Sequence, residues 1–107
     1  MQLMKTRLLN TVLISAIFLF FACGESTSVV ESGTYQGTIQ EVEPSKTEIY
    51  VETDDNQILE LYFTDSTELS RNGSRVEFSV LEEGMEVEVD VEKKGKRLNP
   101  LAVRVLQ

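Results

Sequence analysis

Glu86, Glu88, Asp90 and Glu92 alternate with Met85, Val87, Val89 and Val91. On a strand, alternate residues share a face and sit about 7 Å apart, so this spacing predicts a ladder of four carboxylates. A ladder can hold cations or dock a basic partner, or it can be a solvated face whose charge discourages edge pairing. Calcium sites draw ligands, carbonyls included, from a tight loop. A straight ladder does not converge, so the solvated face is the expectation. Asp54, Asp55 and Asn56 form a second oxygen-rich group, but without the ligand spacing of an EF-hand loop. They read as a turn. Tyr50 and Tyr62 are the candidate binding residues, each on a segment where apolar neighbours claim the other face. Lys93, Lys94, Lys96 and Arg97 form a basic cluster that either neutralises the ladder beside it or meets a phosphate or lipid head group. The chain has no His, so no Ser-His-Asp arrangement exists. Paired carboxylates are the remaining route to acid–base chemistry.

The elements that carry these residues follow from period-two alternation, which starts at Thr34. A first strand is expected at about residues 34–42, with Tyr35, Gly37 and Ile39 on one face. A glycine inside a strand marks a bend or a close backbone approach. A second strand, 47–53, turns Ile49 and Val51 inward. A third, 57–63, turns Leu59, Leu61 and Phe63 inward. Tyr50 and Tyr62 then face outward, opposed or diagonal across the hairpin, within reach of each other. Glu48, Glu52 and Glu60 flank them, which argues against a nucleic acid strand. Alternation lapses from 64 to 84. There Arg71-Asn72-Gly73-Ser74 is a turn signal joining two short pieces, 68–70 and 75–78. Ser79 and Glu82 fit a capping box for one helical turn that would bury Leu81. The fourth strand is 85–92. The last, 98–106, is expected to turn Leu101, Val103 and Val105 inward. These make an all-β chain of five strands with a helical turn between the third and fourth, the order of a small Greek-key barrel of the OB type.

The N-terminus has a different pattern. Lys5 and Arg7 precede an uncharged run from Leu8 to Ala22, and the only cysteine, Cys23, follows. This is the layout of a secretory signal. Its run is shorter than the roughly twenty residues of a spanning helix. The junction Phe20-Phe21-Ala22-Cys23 resembles the lipobox of bacterial lipoproteins, with Phe20 where leucine is usual. The resemblance implies lipidation of Cys23, a signal helix at 1–22, and membrane attachment through the lipid. By similarity to enterobacterial sorting, Gly24 implies the outer membrane. Residues 23–33 read as a flexible tether, and 34–107 as the barrel. Lys5 and Arg7 are the only charges before Cys23, so the remainder carries 18 acids against 8 bases, net −10. That charge repels nucleic acid and anionic head groups.

The stretch with TDSTEL, NG and SVLEEGMEVEVDV, including Thr67, Leu81 and Gly84, resembles small OB-like barrels of unassigned function in bacterial envelope lipoproteins. The resemblance implies a barrel and an extracytoplasmic setting, and no reaction. The function expected is a lipid-anchored, non-catalytic binding module of the envelope, without cofactor, meeting an envelope protein or a glycan at Tyr50 and Tyr62. Two readings stand beside it. One is a cation-binding envelope protein using surface carboxylates. The other is a small carboxylate-dependent hydrolase or enzyme subunit, which two converging, desolvated carboxylates in a cleft would favour.

Overall fold

The structure is a computed structural model and describes residues 26–106. The signal segment and Cys23 lie outside the described residues. The chain is all β with two 3-10 turns. Its strands are β1 (Gly33–Glu43), β2 (Glu48–Thr53), β3 (Ile58–Tyr62), β4 (Glu68–Arg71), β5 (Ser74–Arg75), β6 (Glu86–Lys94) and β7 (Arg97–Val105). They form one seven-stranded sheet in the order β3-β2-β1-β6-β7-β4-β5. The sheet curls so that β3 lies against β7, but no hydrogen-bonded ladder joins those two strands. The barrel is therefore open at this seam, and it has seven strands where five were expected.

The two extra strands come from the stretch where alternation lapses. Asn72 and Gly73 both take positive φ, 54° and 81°, as a two-residue turn between β4 and β5 requires. β4 then runs parallel to β7, with Leu69 opposite Val103. The helical turn falls at Phe78–Val80, with Glu77 at its N-cap, two residues earlier than the capping box predicted, and no side chain caps it. Ser79 lies within it rather than before it. Leu81 is nonetheless buried.

Ile49, Val51, Leu59, Leu61, Val87, Val89 and Val103 are fully inaccessible, and they form one core with Ile39, Val91, Leu98 and Val105. The inward assignment fails at Leu101, which is 45% exposed. The register between β6 and β7 shifts between Asp90 and Val91, which face Ala102 and Pro100 respectively. Leu101 is the extra residue of that bulge, and an extra residue reverses the alternation beyond it. Leu98 and Pro100 turn inward on one side of it, Val103 and Val105 on the other. Pro100 lacks an N–H and suits this irregular position. At Gly37 any side chain would run into the Glu52 carbonyl oxygen and the Val51 side chain, so its bare backbone permits the close approach of β1 and β2.

The described part of the stretch read as a tether is held on the barrel from Ser28 onward. The Ser28 N–H donates to the Ile58 carbonyl at 2.8 Å, Val30 is buried in the core, and Ser32 accepts from the Lys93 N–H at 2.8 Å.

Candidate functional site

β2 and β3 are antiparallel, and each carries Glu-x-Tyr: Glu48-Ile49-Tyr50 and Glu60-Leu61-Tyr62. The register sets Glu48 opposite Tyr62 and Tyr50 opposite Glu60, with Ile49 opposite Leu61 on the other face. Two carboxylates thus occupy one diagonal of a four-residue square, and two phenols occupy the other. Tyr50 and Tyr62 are diagonal neighbours on the outer face, Tyr50 half-buried and Tyr62 37% exposed. The Tyr50 hydroxyl donates to Glu60 Oε2 at 3.4 Å. On the other side of β2, β1 sets Glu43 opposite Glu48 and Glu41 opposite Tyr50.

Glu48 is the unusual member. Alternation puts it on the outer face, yet it has 0% exposure. Among the described residues, neither of its carboxylate oxygens has a hydrogen-bond partner. A buried polar group without a partner costs about 1–3 kcal/mol, and more when charged. Burial, followed by the neighbouring Glu60 carboxylate, raises the Glu48 pKa above the ordinary value of 4.5. The Tyr62 and Tyr50 hydroxyls act the other way without offsetting it. Glu60 is lowered, first by the Glu48 carboxyl and then by the two tyrosine hydroxyls, with a smaller contribution from Lys46. Tyr50 is pushed up to about 12, mainly by burial and then by Glu60. Tyr62 also rises to about 12, mainly through its hydroxyl's interaction with Glu60 and then with Glu48. Both phenols therefore stay protonated at neutral pH and can donate or accept. Glu52, next in the same row, is satisfied by Gln40 Nε2 at 2.8 Å.

The carboxylate ladder on β6 is partly neutralised from within the chain. Glu88 faces Arg104 across the β6–β7 ladder. Arg104 Nε meets Glu88 Oε1 at 2.8 Å, and its two terminal nitrogens meet Asp90 Oδ1 and Oδ2 at 2.8 and 3.2 Å. The Thr34 hydroxyl also donates to Asp90, at 2.8 Å. Arg104 first, then Thr34, lowers the Asp90 pKa despite partial burial. In the basic cluster Lys93 pairs with Glu31 at 3.1 Å and Lys94 with Glu92 at 3.8 Å. Asp54, Asp55 and Asn56 form the β2–β3 turn, where Asn56 takes φ 66°.

A hollow of about 310 Å³, lined by Tyr62, Thr64, Lys94, Arg97, Leu98 and Asn99, adjoins the β3 side, and two more do so as well. One, of about 60 Å³, touches Glu60 and Tyr62 together with Ser28, Lys96 and Arg97. The other, of about 370 Å³, lies under the edge-to-face pair Phe63 and Phe78, whose centroids are 5.0 Å apart, and is rimmed by Asp65 and Arg75. Among the described residues, no three of His, Cys, Asp and Glu gather as metal ligands do. Sequence reasoning placed Glu48 and Glu60 only as flanking charges. The repeated Glu-x-Tyr on two strands of one hairpin was the available signal. In an antiparallel pair, that repeat crosses each acid onto a ring.

No protein-family model and no curated protein sequence matches the chain. Solved structures with a similar fold include three forms of the CusF protein of Escherichia coli. A copper(II)-bound variant has a TM-score of 0.56 at 13% identity, covering 77% of this chain and 100% of that one. A silver(I)-bound form has a TM-score of 0.56 at 14% identity, covering 72% and 94%. The apo form has a TM-score of 0.54 at 15% identity, covering 78% and 99%. At this identity the likeness is one of fold: the described chain is similar to CusF in its small, OB-like β architecture.

Proposed function

We propose that this chain is a cation-binding protein of the bacterial envelope, with Glu48 and Glu60 as its anionic donors. The observation that carries the reading is Glu48, whose two oxygens are buried without a partner. A cation beside it would remove the cost of holding that charge out of water. The copper(II) and silver(I) forms of CusF support cation binding on this architecture. The donors differ in kind from those that soft metals select. Copper(I)-type ions favour thiolate, thioether and imidazole. This chain has no His, and Met85 is its one sulfur side chain between residues 26 and 106. Its site offers carboxylate and phenol oxygen. The signal-like N-terminus and Cys23 support an envelope setting, with lipid attachment at Cys23 and the outer membrane as destination.

Glu48 and Glu60 are adjacent carboxyls with pKa values pushed apart, a pattern also used for acid–base chemistry. The likeness in fold to CusF favours binding over turnover.

Tyrosine emission tests the proposal directly, since the chain has three Tyr and no Trp. The chain would be titrated at pH 7 with calcium, magnesium, copper, silver and an alkylguanidinium salt. A saturable response to at least one cation, lost in Glu48→Gln, supports the reading. No response to any of them overturns it.

A further inference from the structure

We infer that the cation recognised at the Glu48–Tyr62–Glu60–Tyr50 square is a guanidinium group, presented by an arginine side chain of a partner protein. The inference rests on the cation-binding reading above and names its ligand. It follows from four observations.

Neither carboxylate oxygen of Glu48 makes a hydrogen bond of good geometry, and the nearby Tyr62 and Tyr50 hydroxyls only partly offset its burial. A lone metal ion is held by converging ligands, and among the described residues no third acid joins this pair as one. A planar guanidinium instead offers two parallel N–H donors to one carboxylate, in a fixed fork. One well-placed carboxylate is therefore enough for it, where a divalent ion needs several oxygens.

The register places a phenol opposite each carboxylate. Aromatic faces stack on guanidinium planes, and hydroxyls that stay protonated well above neutral pH provide further oxygen acceptors. Tyr62 is 37% exposed while Glu48 beneath the same face is sealed. Exposed side chains change rotamer on the ps–ns scale, so Tyr62 is the residue that moves aside to admit a ligand.

The hollow of about 60 Å³ beside Glu60 and Tyr62 has room for the tip of a side chain, and the hollow of about 310 Å³ that Tyr62 also lines has room for the chain that carries it. Lys96 and Arg97 line the smaller hollow, so Glu48 and Glu60 draw an incoming guanidinium past two like charges. Lys46, Lys96 and Arg97 form no ion pair with Glu48 or Glu60 among the described residues. Glu41 and Glu43 on β1 add negative potential at the same end of β2. Together with the net charge of −10 after Ala22, this steers a basic partner toward the face.

The test uses the full chain after Ala22, isotope-labelled, with three probes: acetyl-Gly-Arg-Gly-amide, acetyl-Gly-Lys-Gly-amide and calcium chloride. The expected result is saturable shift changes at Glu48, Tyr50, Glu60 and Tyr62 with the arginine peptide. The lysine peptide should bind at least about fivefold more weakly, because a point charge cannot fork onto a carboxylate. Glu48→Gln should weaken the arginine peptide at least about tenfold. Its backbone spectrum provides the control that the fold is kept. Equal binding of the two peptides overturns the guanidinium assignment. Binding of calcium without either peptide also overturns it, and leaves the cation reading standing. Binding of none of the three overturns the guanidinium assignment, and the cation reading is then decided by the titrations with magnesium, copper and silver.

Discussion

Glu88 and Asp90 on β6 share one guanidinium, Arg104, at 2.8 Å each. Glu48 and Glu60 on β2 and β3 have two phenols between them and, among the described residues, no ion-paired base. Both pairs lie on outer faces of the same sheet, over the same core. Yet Asp90 is held below its ordinary pKa, while Glu48 is held above its own. The difference teaches which acids a fold has already used. A carboxylate that has its cation within the chain is part of the structure. A buried one that lacks it destabilises the fold until something else supplies the charge. Sequence marked β6 as the acidic face because four acids stand there in a row. The face with unmet charge spreads its acids over three strands, so no single stretch of sequence shows it.

The largest effects test the assumption that the two faces share one core. Leu61, between Glu60 and Tyr62, has no exposure. Leu61→Ala should cost about 2–4 kcal/mol in urea unfolding, through lost transfer energy and a cavity. Val89→Ala, beneath the ladder, should cost about 1–3 kcal/mol. A loss under about 0.5 kcal/mol for either would mean that face has no core behind it.

The next effect separates the faces. Arg104→Met should cost about 1–2 kcal/mol, since it leaves Glu88 and Asp90 side by side without their base. The figure is kept low because Arg104 is 38% exposed, so water screens part of the loss. An unchanged unfolding midpoint would show that the ladder is merely solvated.

Glu48→Gln should act in the opposite direction and stabilise the protein by about 1 kcal/mol at pH 7, by removing a buried charge. The two faces also titrate with opposite signs. The Glu48 pKa is raised on folding, so its contribution is fully present below 4.5 and is lost as pH climbs through the raised value. The Asp90 pKa is lowered, so its contribution is present above 3.8 and is lost as pH falls through the lowered value. Thermal midpoints measured from pH 3 to pH 8 should therefore lose their upper decline in Glu48→Gln and their acid decline in Asp90→Asn. An upper decline that survives in Glu48→Gln would assign it to Glu41 instead, whose pKa is also raised.

Tyr62→Ala should give the smallest change in stability, less than about 0.5 kcal/mol, because the ring is 37% exposed and surface substitutions usually stay in that range. Its effect should appear in titration. With the ring gone, water reaches Glu48, and the carboxyl carbon shift should titrate closer to 4.5. A Glu48 titration that does not move would show that another side chain seals it.

Much of the fold was legible. Ile49, Val51, Leu59, Leu61, Val87, Val89 and Val103 alternate with polar residues, and all are buried. Asn72-Gly73 marked its turn because few residue pairs accept two positive φ angles. Leu101 was misplaced because nothing local announces a bulge. The β4–β5 strands were read as two short pieces about the Asn72-Gly73 turn but left out of the five-strand count, because two- and four-residue strands are too short to show a period. Tyr50 and Tyr62 were legible as an outer pair. Glu48 was legible as an outward residue, and its burial was not.

Sequence by itself determined which side chains face each way along most strands. That choice is made by the backbone, which turns successive side chains to opposite faces wherever it is extended. Tertiary structure decided which residues meet. Arg104 neutralises Glu88 and Asp90 because β7 returns beside β6 in one register. Glu48 meets Tyr62 because β3 folds back on β2 in another. Whether an acid is paired, solvated or sealed depends on atoms brought from elsewhere in the chain. Its own neighbours in sequence do not carry that information.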